Sequence, residues 1–146
     1  MPYLVVSVIM GGLFGLFFLT LTSLVFMRRR KLLVALGDAG DLTLLRRIRA
    51  QGNFVEWAPL VLILIVLTEL QGFFTPYNQC FAAVCGILFL IGRTCHAYSL
   101  VCHEQYNEQN QITSNPIFRV MGMMMSIFSL MLLSLWQIAS GVVFFL

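Results

Sequence analysis

The sequence predicts an all-α integral membrane protein, a bundle of four transmembrane helices. Of its 146 residues, 60% are hydrophobic and 10% are charged, whereas soluble domains carry roughly 45–50% apolar and about 25% charged residues. The mean hydropathy is +0.91. Because a soluble fold of this size could not hide so much apolar surface, the composition argues against a soluble enzyme, a disordered regulator and a disulfide scaffold.

The length of the chain limits the number of spans. A helix needs about 20 mostly apolar residues to cross a bilayer, so the chain has room for four or five spans and for no separate soluble domain. We expect a single membrane domain with spans at residues about 3–27, 50–70, 78–102 and 117–145.

The first span is uncharged over residues 1–27 and ends abruptly at the basic run Arg28–Lys31. It has neither a basic start nor a small-residue cleavage site, which favours a retained helix over a signal peptide. Gly11, Gly12 and Gly15 indicate close helix packing on one side of this span.

Capping residues mark where the second and fourth helices begin. Asp41 follows a glycine-rich turn and is expected to cap the second helix, which continues to about residue 70. Asn115 followed by Pro116 is typical of a helix start and predicts the beginning of the fourth helix. Between them, the third helix is expected over about residues 78–103.

The basic residues predict the orientation of the bundle. Seven of the nine lysines and arginines lie between Arg28 and Arg49, and none lies in the connection around Pro76. By the positive-inside rule, the first and third connections face the cytoplasm and both termini lie on the other side.

Polar residues in the second helix fall on one face. Arg49, Asn53 and Glu56 are spaced four and then three residues apart, so they point within about 60° of one another. An ionisable residue at the centre of a membrane helix costs about 2.5–3.5 kcal/mol on insertion scales. Two ionisable side chains and an amide in one stripe therefore indicate a polar site.

The third and fourth helices add to this site. Arg93, His96 and His103 recur at spacings of three and seven residues. Arg119 lies in the first turn of the fourth helix, where a cation opposes the helix dipole unless a ligand or a carboxylate offsets it. Together these residues predict an arginine-rich pocket open to the cytoplasm, suited to a small anionic ligand.

Two other interpretations of the polar residues stay open. Glu56 could pair with Arg49 or Arg93 as a structural clamp between helices. His96 and His103 are a weak metal site without nearby carboxylates, so no metal is expected.

The motifs resemble those of the MAPEG family, the membrane-associated proteins in eicosanoid and glutathione metabolism, and in particular its bacterial branch. The segment 49–59, RAQGNFVEWAP, is similar to the family's second-helix signature. Arg93–Tyr98 resembles its third-helix motif, and Arg119–Gly122 resembles the start of its fourth helix. The resemblance extends over essentially the whole chain.

The resemblance implies a homotrimer that binds glutathione between neighbouring subunits near the cytoplasmic face. The implied glutathione-binding residues are Arg49, Gln51, Asn53 and Glu56, assisted by Arg93 and His96. Arg119 matches the arginine that stabilises the glutathione thiolate in catalytic members. Two positions depart from the family. Several animal members carry a tyrosine where this chain has Leu100, and Ser99 replaces the glycine expected in the bacterial branch.

The implied activity is that of a glutathione-dependent membrane transferase or peroxidase. It would add the thiolate to a hydrophobic electrophile or reduce a lipid hydroperoxide. The expected location is a bacterial inner membrane, with lipid and a hydrophobic small molecule as partners and no nucleic acid. One alternative is a non-catalytic lipid-binding or scaffold protein, alone or as a subunit of a larger membrane complex. The other, ranked last, is a proton-coupled exporter that uses Glu56.

Overall fold

The computed structural model describes residues 4–71, 75–105, 107 and 112–145. The described residues form four long α-helices and no sheet. The helices are α1 (Val5–Leu32), α2 (Leu42–Leu70), α3 (Thr75–Tyr98) and α4 (Ile117–Phe145), with a short π-helix (Ser99–His103) continuing α3. Four helical segments are long and apolar enough to cross a membrane. The all-α membrane fold predicted from the sequence is therefore confirmed.

Helices α2 and α3 form the centre of the bundle. Each contacts both outer helices, whereas α1 and α4 make no contact with each other in the described part of the chain. The core between α1, α2 and α3 is aromatic: the ring of Phe14 lies 5.9 Å from that of Phe54 and 5.4 Å from that of Phe89. Such tilted and edge-to-face pairs stabilise a core beyond their buried area.

A capped and ion-paired connection joins α1 to α2. The Asp41 carboxylate accepts a hydrogen bond from Leu44 N at 2.6 Å, which confirms Asp41 as the N-cap of α2. The same carboxylate pairs with Arg28 at 2.6 Å. The Arg28 guanidinium, and then the Leu44 amide, hold the pKa of Asp41 below its usual value. We call this end of the bundle, with the connection 33–41 and the start of α4, the basic end.

At the opposite end, a buried carboxylate caps α1. Glu69, the penultimate residue of α2, is 2% exposed and accepts hydrogen bonds from Val6 N at 3.0 Å and Ser7 N at 2.6 Å. A negative charge at a helix N-terminus is favoured by the helix dipole. Helices α1 and α2 are therefore tied together at both ends by a carboxylate.

Gly92 and Gly122 allow the backbones of α3 and α4 to come into direct contact. A Cβ atom on Gly92 would lie 2.8 Å from the Gly122 carbonyl oxygen, and a Cβ on Gly122 would lie 2.7 Å from His96 N. No side chain fits at either position without movement of the helices. This crossing sets the distance between the end of α3 and the start of α4.

The glycines expected to mediate close packing behave differently. A Cβ on Gly12 or Gly15 would meet nothing within 4 Å, and one on Gly11 would touch the Leu62 side chain at 3.9 Å. Within the described chain, these glycines do not bring another helix to backbone contact. A glycine pattern shows where backbones can approach, but the partner helix decides whether they do.

Replacing Gly122 tests the crossing. Gly122→Ala should lower the free energy of unfolding in detergent by about 1–3 kcal/mol, because the added methyl group overpacks a backbone contact. Gly141→Ala, in the same helix with nothing within 4 Å of its Cβ position, should leave stability unchanged or slightly raised. Equal effects of the two substitutions would contradict the assigned crossing.

The pKa of Asp41 predicts a pH-dependent contribution to stability. Because its folded-state pKa lies below the ordinary 3.8, the stabilisation is present above that value and is lost as the pH falls through the folded pKa. Asp41→Asn keeps a capping oxygen but loses the charge. The melting temperature of this variant should therefore lie below that of wild type at about pH 7, and the two should converge well below pH 4. A gap in melting temperature that is constant across this range would refute the ion-pair contribution.

Candidate functional site

A cavity of about 440 Å³ opens between α2, α3 and α4 at the basic end. Its volume lies within the range of small-ligand pockets. Its wall combines basic, polar and apolar side chains: Leu42, Leu45, Arg46, Arg49, Asn53, His96, Leu100, Arg119 and Met123. Four of the seven residues proposed from the sequence therefore line one cavity.

The first three turns of α2 supply one wall. Leu42, Arg46, Arg49 and Asn53 follow one another at spacings of four, three and four residues, so they share one face of the helix. The opposite side of the same turns contacts α1, where Arg47 donates to the Leu24 carbonyl oxygen at 2.7 Å. The helix therefore directs two guanidinium groups and an amide toward the cavity.

His96 links the three helices around the cavity. Its Nε2 lies 3.2 Å from Asn53 Nδ2 on α2, and its Nδ1 lies 3.4 Å from the Arg119 carbonyl oxygen on α4. A neutral ring with its proton on Nδ1 satisfies both contacts, since it donates to the carbonyl and accepts from the amide. The imidazole is 3% exposed and therefore holds Asn53 and the start of α4 in fixed positions.

Glu104 is the functional residue that sequence reasoning missed. Its side chain is fully buried and its Oε2 lies 3.1 Å from Arg119 Nη1. Its Oε1 accepts a hydrogen bond from Ser99 Oγ at 2.9 Å, and its backbone carbonyl accepts one from Arg46 at 2.7 Å. Instead of lying in an exposed polar loop, Glu104 supplies the carboxylate that the position of Arg119 requires.

The signal for this carboxylate was present in the sequence. A cation in the first turn of a helix predicts a compensating anion, and Glu104 is one of two acidic residues between α3 and α4. Its selection depends on Ser99 and the π-helix, because the Glu104 backbone nitrogen donates to the Ser99 carbonyl oxygen at 2.9 Å. Sequence spacing does not reveal such a turn.

The other three predicted residues, Gln51, Glu56 and Arg93, lie outside the cavity wall. Gln51 points to α1, where its Nε2 donates to Thr22 Oγ1 at 2.8 Å. Glu56 is exposed on the outside of α2. In the described part of the chain it forms no ion pair, so the clamp between Glu56 and Arg49 or Arg93 is not formed.

Arg93 is buried beside aromatic rings. It is 2% exposed, and its guanidinium carbon lies 4.5 Å from the ring centre of Trp57 and 5.3 Å from that of Phe89. These are cation–π distances. Its three side-chain nitrogens are buried and have no hydrogen-bond partner among the described residues.

The π-helix explains why His103 does not line the cavity. The spacing of seven residues from His96 assumes an uninterrupted α-helix, but the chain passes through Ser99–His103 with wider turns. The His103 ring instead lies 5.2 Å from that of Phe118 and 6.4 Å from that of Tyr98. Arg93, His96 and His103, predicted to share one face, therefore do not meet in one site, and of the three only His96 lines the cavity.

The chemistry of the cavity favours an anion with an apolar part. Guanidinium groups bind carboxylates through paired N–H donors, while Leu42, Leu45, Leu100 and Met123 offer an apolar wall. The described residues contain no group of three or more histidine, cysteine or acidic side chains arranged to hold a metal ion.

Fold and site together define a four-helix integral membrane protein with an arginine-lined cavity between the helices at one end. Residues 6–139 match the sequence profile of the MAPEG family. The chain belongs to this family, and the resemblance seen in its motifs is confirmed. It is thus a membrane protein of the family associated with glutathione and eicosanoid metabolism.

Two curated relatives are similar to part of the chain. Both are named "Inner membrane protein YecN", one from Escherichia coli strain K12 and one from Escherichia coli O6:H1 strain CFT073. Each is 38% identical over 65 residues, which are 44% of this chain and 47% of the relative. The match thus spans about half of the length of these relatives.

Proposed function

We propose that the protein is a glutathione-dependent membrane transferase or peroxidase. The observation that carries this proposal is the convergence of Arg49, Asn53, His96 and Arg119 on one cavity. These residues match glutathione-site positions of the family, although they come from three different helices. The proposed ligand is glutathione, and the proposed second substrate is a hydrophobic molecule dissolved in the bilayer.

The polar groups of the cavity suit a tripeptide with two carboxylates and a thiol. The guanidinium of Arg49, together with that of Arg46, can bind carboxylates as a fork. Asn53 is held by His96 and offers its amide to the peptide bonds. Arg119 is 38% exposed while one of its nitrogens contacts Glu104, so other N–H groups remain to face a bound thiol.

Arg119 provides the chemical activation. A free thiol has a pKa of about 8.5, and an adjacent cation lowers it and favours the nucleophilic thiolate. The thiol proton passes to water at the open end of the cavity. In conjugation, a sulfur–carbon bond forms and the leaving group departs with its electron pair. With an epoxide, the ring carbon–oxygen bond breaks instead and the oxygen takes a proton.

Peroxide reduction would use the same thiolate. It attacks the terminal oxygen of a hydroperoxide, the oxygen–oxygen bond breaks, and the alkoxide takes a proton to become an alcohol. The resulting glutathione sulfenic acid reacts with a second glutathione to give the disulfide and water. The apolar wall of Leu100 and Met123 would hold the acyl chain in either reaction.

The remaining predicted residues fit a site shared between subunits. By resemblance, glutathione lies between neighbouring subunits of a homotrimer, with Gln51, Glu56 and Arg93 contributing to the site. An exposed carboxylate such as Glu56 is costly in a membrane span, and Arg93 is a buried cation without a hydrogen-bond partner among the described residues. We propose that an adjoining subunit covers Glu56.

The proposed location is a bacterial inner membrane, with the cavity facing the cytoplasm. The name of the similar Escherichia coli proteins supports the inner membrane, and the basic residues at the end of the bundle that holds the cavity support the orientation. This orientation gives the site access to cytoplasmic glutathione.

One observation favours a non-catalytic lipid-binding or scaffold role as the second candidate. Leu100 lines the cavity at a position where several animal members carry tyrosine, so no hydroxyl group is supplied there. A ligand could then bind without being activated. Turnover measurements decide between the two candidates, since this alternative predicts no product from any electrophile or hydroperoxide.

Glutathione binding should depend on Arg49. Titration calorimetry on detergent-purified protein should give saturable binding, and Arg49→Ala should weaken it at least about tenfold, because a charge-assisted hydrogen bond contributes about 1.5–3 kcal/mol. Arg30→Ala removes an exposed basic charge at the same end of the bundle, outside the cavity, and should leave the affinity unchanged. No binding to wild type at millimolar glutathione would refute the proposed function.

The rate of glutathione conjugation should depend on Arg119 more strongly than the affinity for glutathione does. Arg119→Ala should reduce kcat/KM for a model electrophile by about 10²–10³-fold, as when a donor to a developing anion is removed, with a smaller change in glutathione affinity. Because Arg119→Ala also unpairs a buried carboxylate, Arg119→Lys serves as a second variant that keeps the charge. Unchanged turnover in both folded variants would disprove the assigned role.

A further inference from the structure

The buried carboxylate of Glu104 is in contact with the same arginine that the proposed reaction uses. Three separate contacts hold it: Arg119 Nη1 at 3.1 Å, Ser99 Oγ at 2.9 Å and, through its backbone carbonyl, Arg46 at 2.7 Å. Its side chain is fully buried, so its negative charge is not screened by water. It therefore acts on Arg119 at close range.

We propose that Glu104 is a positioning residue that fixes the guanidinium of Arg119 at the cavity wall and limits how readily a thiol bound there ionises. The second part of this inference rests on the proposed function. Glu104 does not line the cavity, so it acts through Arg119 instead of touching the ligand.

The geometry separates two effects of the carboxylate. As a hydrogen-bond acceptor, it holds one nitrogen of Arg119 and thereby directs the rest of the planar fork. As an anion, it partly offsets the positive charge that the fork presents to the cavity. The first effect favours thiolate formation by placing the cation, and the second opposes it by reducing the local potential.

Among the described residues, the other charged or titratable groups that line the cavity with Arg119 are Arg46, Arg49 and His96. Helix α2 presents Arg46 and Arg49 to the cavity, and α3 presents His96, whose Nδ1 faces the Arg119 carbonyl oxygen. All three are basic groups. Among these residues Glu104 is the carboxylate, so its removal should change the electrostatic balance at the cavity more than loss of a distant acidic group.

Two substitutions distinguish the effects. Glu104→Gln keeps an oxygen that can accept from Arg119 but removes the charge. Glu104→Ala removes both. Asp38→Asn is the matched control, because it also removes one negative charge near the basic end and keeps an oxygen for the hydrogen bond to Gly40 N.

The first readout is the ultraviolet absorbance of glutathione thiolate, measured against pH on protein saturated with glutathione. Glu104→Gln should raise the ratio of thiolate to thiol at a fixed pH by about three- to tenfold, since loss of a nearby like charge favours the ionised form. Glu104→Ala should fall below Glu104→Gln, because Arg119 loses its anchor. Asp38→Asn should titrate as wild type does.

The second readout needs no ligand. In nuclear magnetic resonance spectra of protein with ¹⁵N-labelled arginine, the Nε–H signal of Arg119 is assigned by its loss in Arg119→Lys. Glu104→Ala should shift and broaden this signal and speed its exchange with water, whereas Glu104→Gln should largely retain it. Asp38→Asn should leave it unchanged.

The outcomes are separable. An Arg119 signal that is identical in wild type and Glu104→Ala would overturn the positioning role, whatever glutathione does. If the Arg119 signal changes but the bound glutathione thiol titrates identically in all folded variants, the proposal that Glu104 limits thiol ionisation would be overturned. If wild type binds no glutathione, the proposed function and the control of ionisation fail together, while a changed arginine signal still supports the positioning of Arg119 by Glu104.

Discussion

Charged side chains in a bilayer must be held by partners, and this constraint organises both ends of the bundle. Each end of α1 is tied to α2 by a carboxylate: Asp41 binds Arg28 and Glu69 binds the first amides of α1. The contact between Glu104 and Arg119 serves the same purpose between α3 and α4. Because each of these three carboxylates meets a cation or a helix N-terminus, these polar groups link the helices.

The site depends on how closely two backbones approach. Contact between Gly92 and Gly122 brings α3 against α4, and only at that separation can His96, one turn beyond Gly92, contact the Arg119 carbonyl oxygen. The same imidazole holds Asn53 on α2. A contact between two glycines, which carry no polar side chain, therefore determines the position of the polar cavity wall.

Local signals in the sequence were sufficient for the helices and for part of the site. Asp41 was predictable as a cap because the capping preference is local, and Arg49 and Asn53 share the cavity because they lie four residues apart on an uninterrupted helix. His103 was misplaced because the π-helix after Tyr98 changes the register. Glu104 was missed because its partners are Ser99 and Arg119, which only the fold of the connection brings together.

Arg49 and Glu56, both in the polar stripe on α2, lie in different surroundings because they are far apart along the helix axis. Glu56 follows Arg49 by seven residues, so the two point in nearly the same direction but lie about 10 Å apart along the axis. Arg49 lines the cavity, whereas Glu56 lies outside it, exposed on the outer surface of α2. A second subunit seated on the outer face of α2 would enclose Glu56, which joins the proposed trimer to the proposed ligand site.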